Sequence, residues 1–271
     1  LQKKRIVICP RGSFSNFTLN NKLVFIKSLW LYFISPMIYT VDWQASSFLE
    51  KKDILKRFPK ARVSVINDGV DYNSFQNAPQ LNSNDLINRF TEKNYNIVSA
   101  VFFSMGRLHK IKRFDILIDA FNLYIKNNQH AKLLIAGGND GVKKDLIRQI
   151  DALNLSDSVF LIGEVSFEDK KLILNNCDLF TLASDFESFG IVIAEALSCG
   201  LPVVVSNKTQ WKDIERNNCG IFTDNDQYSF SKAFDKVLEM KFTDDKIKQY
   251  VRSNYDWDVI IKKFTNLLKD K

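Results

Sequence analysis

From residue 96 onward, short continuous apolar runs alternate with helix-length amphipathic stretches, and this alternation restricts the fold more than any other feature of the chain. The runs are NIVSAVFFSMG (96–106), AKLLIAGG (131–138), SVFLIGEV (158–165), CDLFTLAS (177–184) and LPVVVS (201–206). Helices are expected at 112–127, 141–153, 168–175, 189–199, 212–217 and 228–240, with a last one at 256–269. In the first of these Phe114, Leu117, Ile118, Phe121 and Ile125 fall on one face of a 3.6-residue period. Strands apolar on both faces, separated by such helices, build βαβ units around a parallel sheet, so the expected class is α/β. In front of this unit RIVICP (5–10), MIYTV (37–41) and VSVIN (63–67) supply only three further strands. The stretch 72–95 is rich in Asn, Gln and Ser and shows no strong apolar period, so it reads as a linker. The expected division is 1–75 for a small front domain, 76–95 for the linker, 96–250 for a complete doubly wound domain and 251–271 for a terminal helix.

Composition enters where it excludes alternatives. With 271 residues, 45% of them hydrophobic, the chain is long enough for two cores. Cys9, Cys177, Cys199 and Cys219 form no C-x-x-C pair, which argues for reduced, mostly buried thiols in a cytosolic protein rather than a zinc ribbon or a disulfide framework. His109 and His130 are the only histidines, so a His-rich metal site is nearly excluded and any histidine-dependent chemistry would have to use one of these two. Residues 1–98 hold 14 Lys/Arg against 7 Asp/Glu and so carry the whole net charge of +7. That asymmetry fits an anionic partner or a plain solvated face. Aromatic residues do not alternate with the basic ones, so nucleic acid is not the expected partner. The segment 22–41 is interrupted by Lys27 and Pro36, short of the roughly 18 apolar residues that span a bilayer. It reads as a buried or interfacial helix around Leu23 to Ile34.

Ligands of open parallel sheets bind beyond the carboxyl ends of the strands. After 96–106 comes GRLHKIKRF, where Gly106 frees the turn and Arg107, Lys110, Lys112 and Arg113 gather cations at a helix start. This makes an anion site or a set of solvated loop cations. Gly137 and Gly138, and then Gly163, mark tight turns at the next two strand ends. The fourth end delivers Asp185, Glu187, Ser188, Phe189 and Gly190, and the following helix carries Glu195 inside IVIAEAL. A carboxylate in such apolar company needs donors, because unpaired burial costs several kcal/mol. Either a buried Lys or Arg supplies them, or the hydroxyls of a bound ribose do. Glu187 reads as a helix N-terminal charge or as a ligand-binding acid. No G-x-G-x-x-G follows a strand, which argues against a dinucleotide-dependent oxidoreductase.

Taken in order, these strand ends resemble the retaining glycosyltransferases of family 4, with the GT-B fold of two Rossmann-like domains facing across a cleft. ESFGIVIAE (187–195) is similar to the family's E-x7-E motif, and EALSCGLPVVVS follows as the family's acidic-Ala-x-x-x-Gly-x-Pro-Val run does. GRLHKIKRFDILIDAF is similar to its Gly-Arg…Lys-Gly segment, with Arg113 where the family usually has Gly. At the front, Cys9-Pro10-Arg11-Gly12 resembles its Ser-Pro-Arg-Gly turn, and Ile66-Asn67-Asp68-Gly69-Val70-Asp71 its Ile-Pro-Asn-Gly-Val-Asp exit strand. The terminal helix with Trp257 is similar to the family's last helix, which crosses back toward the first domain.

The resemblance implies a sugar-nucleotide-dependent, retaining transferase. Arg107 and Lys112 would bind the donor diphosphate and steady the leaving group. Glu187, as the third catalytic residue, would hold the donor sugar with the amides of Phe189 and Gly190. Gly106, Gly137, Leu161, Gly163, Ser188, Ile191 and Glu195 would complete the donor site, with Glu195 on the ribose and the Leu161 to Gly163 segment along the base. The co-substrate would be a UDP-sugar or GDP-sugar, with no cofactor or metal. The acceptor would be a polysaccharide or lipid-linked glycan of lipopolysaccharide or capsule type, met at the cytoplasmic face of a bacterial membrane by peripheral contact. Two departures stand out. The family's first domain begins roughly a hundred residues earlier, so a truncated N-terminal domain is expected beside a complete C-terminal one, and an inactive nucleotide-sugar-binding fragment or subunit is the alternative. NKTQWKDIERNNCGIF, after Ser206, lacks the family's Gly-Gly turn.

Overall fold

In the computed structural model, which describes residues 5–15, 29 and 39–269, the chain divides into two compact units. One comprises Leu1–Val70, Glu187–Gly190 and Asn254–Lys271; the other comprises Asp71–Phe186 and Ile191–Ser253. The expected helix around Leu23 to Ile34 lies outside the described residues, apart from Leu29.

The second unit is built on a six-stranded parallel sheet. Its strands are β4 (Ala100–Met105), β5 (Ala131–Ala136), β6 (Val159–Gly163), β7 (Leu179–Leu182), β8 (Val203–Ser206) and β9 (Gly220–Thr223), in the order β6-β5-β4-β7-β8-β9. The order reverses between β4 and β7, which is the topological switch point of a doubly wound sheet. All five apolar runs read from residue 96 onward are strands; β9 was not anticipated. Helices α2 (Ser83–Thr91), α3 (Phe114–Ile125), α4 (Lys143–Ala152), α5 (Phe167–Asn176), α6 (Ile191–Ser198), α7 (Asp213–Arg216) and α8 (Gln227–Glu239) follow the chain, with α9 (Asp244–Tyr255) after them. The apolar face expected of α3 is the buried one: Phe114, Leu117, Ile118 and Phe121 are each at most 2% exposed. Phe102 alternates onto that side of the sheet and packs edge-on against Phe121 and Phe234, at ring distances of 5.5 and 5.0 Å. Its neighbour Phe103 meets Phe180 instead, as the two-residue period of a strand requires.

Within 72–95, where composition suggested only linker, the chain forms a 3-10 turn at Tyr72–Phe75 and then α2. Asn82 caps α2 by accepting from the Asp85 amide at 2.9 Å, and Leu86 and Ile87 are fully buried.

The first unit holds β1 (Val7–Ile8), β2 (Asp42–Ala45) and β3 (Arg62–Val65), all parallel in that order. Here the sequence reading needs correction. MIYTV was expected as a strand, but its described part, Tyr39 to Val41, is turn and bend, and β2 starts at Asp42. The strand is masked in sequence by Asp42 and Gln44, polar residues that are buried against distant partners. Arg5 and Arg62 pair with Asp42 at 2.6 and 3.2 Å, and Gln44 donates to the Ile66 carbonyl. Trp43 packs with Phe14 and Phe58 in a small aromatic core. Helix α1 (Phe48–Arg57) begins at Ser47, whose hydroxyl accepts from the Glu50 amide. The last helix, α10 (Trp257–Lys269), belongs to this unit, with its Trp257 ring lying against Gly69.

All four cysteines are free; Cys177, Cys199 and Cys219 are buried and Cys9 is exposed. Burial pushes the Cys199 and Cys219 thiols up to about 12 and Cys177 well above the usual thiol range. Iodoacetamide at neutral pH is therefore expected to modify Cys9 alone in the folded protein and all four thiols after unfolding, as read by intact mass. Native labelling of any of the three others would contradict this core.

Candidate functional site

In the second unit the expected rim forms where the sheet order reverses. Beyond β4, the Gly106 amide donates to the Ala136 carbonyl at 3.0 Å, and the Gly137 amide donates to Gly163 at 2.7 Å. These bonds stitch the ends of β4, β5 and β6 into one ledge. Leu108 extends it by donating to Gly138 at 2.8 Å. Gly137 is sterically required. A Cβ on Gly137, where φ is +150°, would fall 1.8 Å from the Gly106 carbonyl oxygen. A Cβ on Gly106 would sit 3.2 Å from Cε of Lys112, so the lysine side chain lies along the glycine.

Lys112 closes a 3-10 turn, Lys110–Lys112, whose start is fixed by His109 Nδ1 accepting from the Ile111 amide at 3.2 Å. Arg107 projects outward, 75% exposed at the side chain, and pairs with Asp140 at 2.6 Å. An exposed pair of this kind is worth at most about 1 kcal/mol, so an incoming anion can displace the carboxylate. Arg113 begins α3 in the left-handed conformation and pairs with Asp115 and with Asp185, which follows β7. The structure thus gathers Gly106, Arg107, Lys112, Gly137 and Gly163 at one end of the sheet, joined there by Asp185. Leu161 differs: it lies two residues inside β6, packs against the core and borders a cleft of about 330 Å³ lined also by Phe90, Ile147 and Phe160.

Glu195 sits in the second turn of α6, 13% exposed at the side chain, and its Oε1 accepts from Lys170 of α5 at 2.7 Å. Lys170 is thus a mostly buried cation of the kind the sequence left open for this carboxylate. Lys170 in turn lies over the rings of Phe75 and Phe167, 5.3 and 5.4 Å from their centres. Glu195 Oε2 receives no hydrogen bond from the described residues, so acceptor capacity remains on a carboxylate already oriented by Lys170. Ile191, the first residue of α6, is 40% exposed.

Glu187, Ser188, Phe189 and Gly190 belong to the first unit. The Ser188 carbonyl accepts from the Ser46 hydroxyl at 3.1 Å, the Phe189 ring lies 5.6 Å from that of Tyr255, and Gly190 takes φ +82°. Glu187 is half-buried. This unit also contains a carboxylate the sequence reading did not single out. Glu50, 2% exposed, accepts from the Gly12 amide and from both the amide and hydroxyl of Ser46, the latter two at 2.6 Å. It thereby holds the Cys9-Pro10-Arg11-Gly12 turn, in which Arg11 pairs with Asp68. Its signal was available as Ser47-x-x-Glu50, a helix-start pattern in which the acid reaches back past the cap. Lys170 had no comparable signal, because nothing in sequence ties it to Glu195.

Among the described residues no group of three or more His, Cys, Asp or Glu is placed to hold a metal ion, and no helix is long and apolar enough to cross a membrane.

Comparison with known proteins adds a family. The family model described as glycosyl transferases group 1 matches residues 89–270. Over 203 residues the chain is 32% identical to the UDP-Gal:alpha-D-GlcNAc-diphosphoundecaprenol alpha-1,3-galactosyltransferase of Escherichia coli, covering 71% of this chain and 48% of that protein. It is 22% identical over 275 residues to the GDP-mannose:cellobiosyl-diphosphopolyprenol alpha-mannosyltransferase of Komagataeibacter xylinus, covering 98% of this chain and 65% of that one. Among solved structures it is similar to Anabaena HepE in complex with UDP and glucose, with a TM-score of 0.78 and 19% identity over 98% of this chain and 72% of that chain. At that identity the likeness shows the fold, which is α/β of the GT-B type. The chain spans one third to two thirds of the length of the curated relatives it matches.

Proposed function

The chain belongs to the group 1 glycosyl transferases, and on that premise we propose that it moves a sugar from a nucleoside-diphosphate donor, with retention of configuration, to a glycan or lipid-linked acceptor. The observation that carries this reading is the rim at the switch point, where Lys112 lies along Gly106 and Arg107 is held by an exposed pair with Asp140. A diphosphate placed there meets two cations. As the glycosidic bond to the phosphate breaks, negative charge grows on the leaving oxygen, and preorganised cations stabilise that charge more than they stabilise the bound donor. Two cations perform this task without a metal ion. Glu195, oriented by Lys170, accepts from the ribose hydroxyls through its remaining oxygen. Glu187, with the amides of Phe189 and Gly190, holds hydroxyls of the donor sugar. Gly106, Gly137 and Gly163 let backbone approach the nucleotide, and Ser188, Ile191 and Leu161 complete its surroundings.

Relatives whose names specify diphosphopolyprenol acceptors support an acceptor carried on a lipid diphosphate. The proposed setting is the cytoplasmic face of a bacterial membrane, in polysaccharide synthesis of lipopolysaccharide or capsule type. The basic front of the chain, +7 over residues 1–98, suits an anionic surface.

Incubation with a panel of radiolabelled UDP- and GDP-sugars, with and without lipid extract, tests this directly. The expected result is consumption of one donor, faster with extract. If UDP or GDP binds while every donor stays intact, the reading as an inactive nucleotide-sugar-binding chain replaces it.

A further inference from the structure

Arg113 occupies a backbone state, φ 49° and ψ 42°, that glycine adopts freely and an L-residue adopts at a cost. What holds it there is a guanidinium engaged on two sides. Nε and Nη2 donate to Asp115 at 3.0 and 2.9 Å, and Nη1 donates to Asp185 at 3.2 Å. Asp185 follows β7 and is set against the cation turn of the neighbouring strand, because its amide donates to the carbonyl of Ile111, the residue before Lys112, at 2.9 Å. Asn225 donates to its other oxygen at 2.8 Å. The carboxylate is therefore fixed beside the turn that carries Lys112, with its side chain 45% exposed. Left unpaired, it would repel any anion that came to Lys112 and Arg107.

We propose that Arg113 is a positioning residue that neutralises Asp185 at the switch point of the sheet, so that a nucleoside diphosphate reaches Lys112 and Arg107 without opposition from that carboxylate. The inference rests on the donor-site reading given above. It assigns Arg113 no contact with the nucleotide; the residue acts through Asp185.

A double-mutant cycle tests it, with UDP and GDP titrated into the full chain and Lys112→Ala run beside it as the control for the donor site. Arg113→Gly keeps the left-handed turn available, so the variant should fold, which a thermal melt checks. It is expected to weaken nucleotide binding about three- to tenfold at low salt, and less as ionic strength rises. Asp185→Asn is expected to bind at least as tightly as the parent. The double variant is expected to bind more tightly than Arg113→Gly, since the Asp185 charge has gone while that of Asp115, the other partner of Arg113, remains. A purely structural Arg113 would give no such rescue: a double variant as weak as Arg113→Gly, or an Arg113→Gly variant with unchanged affinity, overturns the proposal. If the parent binds neither nucleotide, or binds equally well after Lys112→Ala, the donor-site reading itself has failed and this inference falls with it.

Discussion

Lys112→Ala is expected to lower sugar transfer about 100- to 1,000-fold, with the fold intact. The size of the effect follows from where the side chain is held. Its stem lies along Gly106, a position that admits no side chain of its own without crowding Cε, and the backbone beneath is fixed by the Lys112 amide donating to His109 at 2.9 Å. A cation whose stem is packed in this way rearranges less than one on a free side chain when charge develops on the leaving phosphate. Most of the loss should therefore appear in kcat rather than in KM for the donor. Arg107 is held differently, outward and on an exposed aspartate, so Arg107→Ala should fall more evenly on both constants. Steady-state kinetics on the donor identified from the panel would show the split; a Lys112→Ala enzyme within threefold of the parent would remove the lysine from the chemistry.

Gly137→Ala is expected to have the largest effect on stability, about 2 to 5 kcal/mol, and to abolish nucleotide binding with it. Two independent penalties coincide at this residue. Its φ of +150° belongs to glycine, and the added methyl carbon would stand 1.8 Å from the carbonyl oxygen of Gly106. The ends of β4 and β5 cannot both keep their places, and the bond from Gly137 to Gly163 would go with them. Gly141→Ala is the natural comparison: φ is +103° there, but a Cβ meets nothing within 4 Å. It should lose only the backbone part, about 1 to 2 kcal/mol. Equal losses at the two glycines, read by denaturant unfolding, would show that the ledge is not packed as described.

How far the sequence could be read depended on where each element finds its partners. Strands β4, β5, β7 and β8 were legible because they are buried almost throughout and so are mostly apolar, and β6, half-buried at the edge, keeps an apolar run as well. Helix α3 was legible because its stripe persists over three turns. Helices α1, α2 and α9 were missed because each buries mainly two residues, Glu50 and Ile54 in the first, Leu86 and Ile87 in the second and Ile247 and Val251 in the third, too few for a period to emerge among polar neighbours. Strand β2 was missed because Asp42 and Gln44 are buried against residues about 20 to 40 positions away. In the site, the glycines and the cation cluster could be read from local turn chemistry. Partner choice could not. That Glu195 meets Lys170, or that Arg113 meets Asp185, depends on which helices and loops the sheet order makes neighbours.

The proposed role of the rim is tested most directly by calorimetric titration of UDP and GDP into the parent chain and into Lys112→Ala and Glu195→Gln. Donor binding at the switch point predicts saturable one-to-one binding of one of the two nucleotides, weakened at least tenfold by either substitution. Absence of binding by the parent, or equal affinity in all three proteins, would contradict it.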